Sequence, residues 1–179
     1  MRKIDGHLVA GKILAKLKEL PRPKKCLALI SFEPSDAFSS FVEQMMKVAR
    51  QLGLAVRILF RAETKNTAEL LDEVYRCGDD KEVGGLVIQL PLTARFSKWA
   101  VLASIPPEKD IDALNPATSG VDAPAVLAVE KILQVSHPDR EDADWAGCRV
   151  CIVGAGTLIG RPLYHYFESR GMSATILNS

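Results

Sequence analysis

Apolar positions along this chain switch repeatedly between helical spacing and short continuous runs, a pattern that predicts an α/β fold with a mainly parallel sheet. Leu8, Ile13, Leu14, Leu17 and Leu20 recur on one helical stripe, which Pro21 ends. Cys26 to Phe32 is an almost unbroken apolar run, as expected of a strand covered on both faces. A helix is predicted from about Asp36 to Leu52, stopped by Gly53, and then a strand from Ala55 to Phe60. Asn66 with Glu69 frames the start of another helix that runs to about Cys77, with Gly78 as its stop. Val83 to Gln89 reads as the next buried strand, closed by Leu90-Pro91-Leu92.

A helix near Ala123 to Val135 and a polar linker from Ser136 to Asp142 lead to a second type of segment. There a strand at Val150 to Val153 runs into Gly154-Ala155-Gly156-Thr157-Leu158-Ile159-Gly160-Arg161-Pro162, then a helix to about Ser169 and a strand from Ser173 to Asn178. Glycines between a strand and a helix let the backbone present N–H groups to a phosphate. The spacing Gly154-x-Gly156-x-x-x-Gly160 is looser than the strict dinucleotide fingerprint, so its position carries more weight than its letters. A complete lobe of this Rossmann type needs on the order of 100 further residues. The expected organisation is therefore a three-layer α/β lobe over residues 1–121, a connecting helix and linker over 122–145, and a partial dinucleotide-binding lobe over 146–179.

Composition narrows the function classes. With 47% hydrophobic and 25% charged residues in 179, the chain is of ordinary globular type. Its net charge of +1 argues against nucleic acid as the main partner, the single basic cluster Pro21-Arg22-Pro23-Lys24-Lys25 reading as a solvated loop. No run approaches the roughly 20 apolar residues of a membrane span, and Lys3, Asp5 and Lys12 interrupt the N-terminus, so neither a span nor a signal peptide is expected and the cytoplasm is the default location. Cys26, Cys77, Cys148 and Cys151 lie in apolar stretches and read as reduced core thiols. Cys148 and Cys151 have redox or zinc spacing, yet they fall inside a strand with no second Cys or His pair, and no metal is expected.

The most specific chemistry follows the strand at Val83. Gly84-Gly85-Leu86-Val87-Ile88-Gln89-Leu90-Pro91-Leu92, with Ile105-Pro106-Pro107-Glu108-Lys109-Asp110-Ile111-Asp112 after it, resembles the paired signature of the bifunctional methylenetetrahydrofolate dehydrogenase/cyclohydrolase family. Ile4-Asp5-Gly6 and the Val153 to Pro162 turn match the same family in the same order. The resemblance implies a reduced folate bound between a catalytic lobe and a nicotinamide-binding lobe, oxidised by hydride transfer to NADP or NAD and then opened by water. It further implies a pterin-holding aspartate at Asp112 and a glutamine of the cyclohydrolase step at Gln89, with Asp110 structural. Gly154, Gly156, Gly160 and Arg161 stand at the cofactor positions.

Other family positions have changed. The tyrosine that the resemblance places on the cleft helix is Phe41, and the proton-handling lysine at i+4 is Met45. A thioether neither gives nor takes a proton, so the acid–base step has lost its residue. Lys47 is turned about 200° away from Met45 on a helix. Phe38, Phe41, Val42, Met45, Ala49 and Leu52 form one apolar stripe, so Phe41 and Met45 read as core or as a plug. The preceding loop, Glu33-Pro34-Ser35-Asp36-Ala37-Phe38, has Phe38 at the family serine. Ala113-Leu114-Asn115-Pro116 replaces a glycine-led run, Pro124-Ala125-Val126-Leu127 lacks the family threonine, and Ala155-Gly156 replaces an arginine and serine that assist the cofactor phosphate.

Three readings follow. The leading one is a folate-family protein without cyclohydrolase activity. The second is an active NAD(P)-dependent dehydrogenase completed by further residues or a partner chain. The third is a non-catalytic interaction module that forms a homodimer through the bare face and edge of its partial lobe.

Overall fold

The computed structural model describes residues 3–32, 36–61, 63–118, 121–139 and 145–177. Glu33, Pro34, Ser35, Arg140, Asp142 and Asn178 lie outside these, as does the side chain of Phe38. Two compact units divide the chain, residues 15–119 and residues 1–14 with 120–179. The first helix, α1 (Gly6–Lys18), starts in one and ends in the other. It buries none of its residues, so the stripe through Leu8, Ile13 and Leu17 is an exposed one.

Residues 15–119 hold β1 (Cys26–Ser31), α2 (Asp36–Leu52), β2 (Val56–Phe60), α3 (Thr67–Asp79), β3 (Val83–Ile88) and α4 (Lys98–Ala103), followed by a single 3-10 turn, Pro107–Lys109. The strands form a parallel sheet in the order β2-β1-β3, with Leu29 opposite Ile58 on one side and Val87 on the other. β1 lies centrally, and its Ala28, Leu29 and Ile30 are fully buried; edge strand β2 exposes Ile58 and Phe60. The chain steps from β1 out to β2 and then back across β1 to β3. Right-handed crossovers in opposite directions put α2 and α3 on opposite faces of the sheet.

The α3 face is the main core, where Leu70, Val74 and Cys77 pack with Ala28, Ile30, Leu86, Ile88, Val101, Leu102 and Ile105. α3 begins as its sequence predicts. Asn66 Oδ1 accepts from the Glu69 N–H at 3.1 Å, and Glu69 Oε2 accepts from the Lys65 N–H at 2.8 Å. Its end differs from expectation, because Gly78 sits inside the last turn and the helix continues to Asp79. Gly78 is small for another reason. A Cβ there would lie 2.8 Å from Pro106 Cγ, so the glycine admits the Pro106-Pro107 segment against the helix end. The helix α4 was not anticipated from the sequence, since its six residues are too few to show a helical period, yet Val101 and Leu102 are fully buried.

In the other unit, α5 (Pro124–Ser136) is followed by β4 (Arg149–Val153), α6 (Gly160–Ser169) and β5 (Ser173–Leu177). β4 and β5 pair in parallel, Val150 with Ala174 and Ile152 with Ile176. Strand alternation sends Val150, Ile152, Ala174 and Ile176 to one face, the one α6 covers with Leu163 and Phe167. The opposite face, through Cys151, Val153, Thr175 and Leu177, is exposed, Val153 at 77%. Cys151 is thus no core thiol, and Cys26 and Cys148 are only half-buried; Cys77 alone of the four is buried. The correction follows from the period of two, which puts Cys151 on the bare face of its strand.

Candidate functional site

The carboxyl ends of β1 and β3 lie at the point where strand order reverses, the place where open α/β sheets bind ligands. Gln89, the residue after β3, is fixed there. Its N–H donates to Ile30 O at 2.9 Å, and its Oε1 accepts from Ser31 Oγ at 2.6 Å and from the Phe32 N–H at 3.1 Å. Ser31 is fully buried, so the amide's carbonyl end faces inward on two donors from the neighbouring strand. Alternation puts Ser31 and Gln89 on the Leu29 and Val87 face, the one opposite α3 and hence the one that α2 crosses.

Asp112 is held by the segment that follows α4. Asp110 forms a parallel bridge with Leu86, which lays this segment along the free edge of β3, and Ile111 packs over Gly85, where a Cβ would come within 2.8 Å of Ile111 Cγ2. Asp110 is 2% exposed. Its Oδ2 accepts from the Asn115 N–H and from Thr118 Oγ1, both at 2.7 Å, whereas Oδ1 is buried without a partner among the described residues. Asn115 in turn donates to the carbonyls of Ala103 and Ile105 and accepts from the Ala117 N–H. Burial, and secondarily the charge of Asp110, pushes the Asp112 carboxyl up to about 6. Ala113, next to it, has φ = +52°, a left-handed conformation that suits glycine.

On α2, Met45 is half-buried and Phe41 is 52% exposed, while Ala49 further along the helix is buried. Phe41 is therefore not a core residue. A 17-residue helix is about 25 Å long, against about 20 Å for the six residues of β1, so part of the predicted stripe runs past the strands that could cover it. The structure places Gln89, Asp112, Phe41 and Met45 in one unit, and a right-handed β1–α2–β2 crossover assigns α2 to the Gln89 face.

The glycine turn lies in the other unit. Gly154 has φ = +101° and its N–H donates to Leu177 O at 2.8 Å, which ties the turn to β5. Gly160 starts α6 at a place where a Cβ would overlap the Gly154 carbonyl. Gly156 has open space around it, its carbonyl accepts from the Arg161 N–H at 3.1 Å, and the Arg161 side chain is exposed. Two of the three glycines are thus demanded by backbone geometry, which gives a tight strand-to-helix turn able to approach a dinucleotide phosphate. Among the described residues no group of three or more His, Cys, Asp or Glu side chains is arranged to hold a metal ion, and no helix is long and apolar enough to cross a membrane.

Motif spacing marks Gln89 and Asp112 but not the groups that anchor Gln89 and the segment carrying Asp112. Ser31 is 58 positions from Gln89 and meets it only because β1 and β3 are neighbours. Lys109 and Asn115 stood inside or beside the motif, without a signal for the backbone carbonyls they reach.

Comparison with known proteins follows the same lines. Residues 4–112 match the catalytic domain of tetrahydrofolate dehydrogenase/cyclohydrolase. The bifunctional protein FolD of Lacticaseibacillus casei is 30% identical over 188 residues, which cover 99% of this chain and 66% of that protein. The crystal structure of the bifunctional enzyme FolD, a methylenetetrahydrofolate dehydrogenase/cyclohydrolase from Campylobacter jejuni, superposes with a TM-score of 0.87 at 26% identity, covering 97% of this chain and 65% of that one. The Trypanosoma brucei methylenetetrahydrofolate dehydrogenase-cyclohydrolase, solved with NADP and an inhibitor, gives 0.85 at 25% identity, covering 99% and 64%. The chain therefore spans about two thirds of the length of these relatives.

Proposed function

The chain belongs to the tetrahydrofolate dehydrogenase/cyclohydrolase family, and we propose that this member binds a reduced folate without hydrolysing its methenyl form. The observation that carries the reading is the unequal fate of one site. Gln89 keeps an amide held by buried Ser31 and Asp112 keeps a carboxyl two residues from the anchored Asp110, while α2, which crosses the Gln89 face, brings Phe41 and Met45 in place of a phenol and an amine. Asp112, ionised above about pH 6, accepts hydrogen bonds from the pterin ring N–H groups. Gln89 orients the one-carbon unit from the end of β3. The apolar pair offers a flat surface to the ring but no proton to an attacking water.

The experiment is methenyltetrahydrofolate hydrolysis followed against the buffer rate, in the native chain and in Met45→Lys with Phe41→Tyr. The native chain is expected to leave the buffer rate unchanged and the double variant to raise it at least tenfold. A clear protein-dependent rate in the native chain contradicts the proposal.

A second reading, NAD(P)-dependent oxidation of methylenetetrahydrofolate, is favoured by the glycine turn. NADP or NAD held at Gly154, Gly156, Gly160 and Arg161 would accept the hydride from the folate methylene carbon. Gly154 and Gly160 fit that group, since φ = +101° at Gly154 and the lack of room for a Cβ at Gly160 beside the Gly154 carbonyl build the tight strand-to-helix turn that such a phosphate needs. Spectroscopic titration with NADP and with NAD tests this reading; a homodimer across the bare β4–β5 face is a separate proposal, tested by the light-scattering mass.

A further inference from the structure

Lys109 is buried, 8% exposed, and it takes no part in the chemistry proposed above. Its Nζ donates to the carbonyls of Cys77 at 3.4 Å, Gly78, and Asp80 at 2.8 Å, three acceptors at the C-terminal end of α3. An ammonium there meets the negative end of the helix dipole and saturates all three of its donors on backbone. The same junction is closed from the other side by Pro106 against Gly78. One residue further along, Asp110 pairs with Leu86 and receives Asn115 and Thr118, and three residues beyond Asp110 the chain takes the left-handed Ala113 conformation. Strain of that kind persists only where its surroundings enforce it.

Resting on the folate reading above, we propose that Lys109 is a positioning residue, which locks the Pro106–Asp112 segment onto the end of α3 and so fixes Asp112 in its ligand-holding attitude. Lys109 does not touch the ligand. It transmits the rigidity of α3, through the three peptide bonds that lead by way of Asp110 and Ile111 to Asp112, to a carboxylate whose own neighbours supply burial and one like charge. Without the lock, Ala113 relaxes toward an ordinary conformation and Asp112 swings toward water.

The test compares Lys109→Met, which keeps an apolar stem of similar length and removes the donors, with Lys109→Arg, which restores charge and donors. Gly78→Ala opens the same junction from α3 by pressing on Pro106, without leaving a buried charge. Two quantities are read in each: the Asp112 carboxyl titration by carbon-detected NMR, and calorimetric affinity for 5-formyltetrahydrofolate. Lys109→Met and Gly78→Ala are expected to lower the Asp112 midpoint by at least one pH unit and weaken binding at least tenfold, with Lys109→Arg within threefold of the native chain. A merely structural lysine would lower the unfolding midpoint while leaving the Asp112 titration in place, and that result in the folded variants overturns the proposal. If Lys109→Met does not fold, Gly78→Ala decides alone. Should the native chain fail to bind 5-formyltetrahydrofolate while the Asp112 midpoint still moves, the positioning role stands and the folate reading falls. Should it bind while the midpoint stays fixed, the reverse holds.

Discussion

Ala113 carries a side chain in a conformation that costs an L residue roughly 1 kcal/mol more than glycine. Ala113→Gly is therefore expected to raise stability by about 1 kcal/mol in urea unfolding, since glycine takes the left-handed conformation without the Cβ clash. Its neighbour Asp112 makes a pH-dependent contribution. The folded carboxyl, at about 6, lies above its unfolded value, so the folded state binds the extra proton. The associated stability is present in full below about pH 4, and it is lost as pH rises through 6. Asp112→Asn should leave stability at pH 4 nearly unchanged and raise it by about 3 kcal/mol at pH 7, as measured by unfolding at both values. At this scale the sequence made Gln89 and Asp112 legible through their spacing within a motif. It did not make Ser31, Lys109 or Asn115 legible, because their partners are brought near only by strand pairing and by the docking of a loop on α3.

Elements were legible wherever apolar period and turn chemistry agreed. β1 and β3 follow directly from their apolar runs, and α3 begins at the Asn66 and Glu69 cap. Agreement broke down where a residue serves a neighbour instead of its own element. Gly78 and Gly85 look like a stop and a strand weakness, yet each is small to admit a side chain, from Pro106 and from Ile111. α2 shows the opposite limit, in which a continuous stripe extends past the sheet and leaves Phe41 exposed. The glycine turn allows a direct contrast within one element. Gly160→Ala would drive a Cβ into the Gly154 carbonyl, and it is expected to lower the thermal midpoint by several degrees and to abolish dinucleotide binding. Gly156→Ala meets nothing within 4 Å and should be tolerated, with binding within threefold of the native chain. Equal tolerance of both substitutions would mean that the turn is not held as described.

For the whole molecule, the face of β4 and β5 that is exposed among the described residues is the surface proposed for association. Light scattering at micromolar concentration should give about twice the 19.6 kDa chain mass, and Val153→Lys with Leu177→Lys should return a monomer. A monomeric native chain would remove the dimer from the account without touching the folate site, which lies in the other unit. That site rests on four residues, two retained and two changed, and one equilibrium measurement tests it most directly. In calorimetric titration with 5-formyltetrahydrofolate, the native chain is predicted to bind saturably, Gln89→Ala and Asp112→Ala at least tenfold more weakly, and Met45→Lys within threefold. Absence of binding by the native chain, or equal affinity in the Gln89 and Asp112 variants, would contradict it.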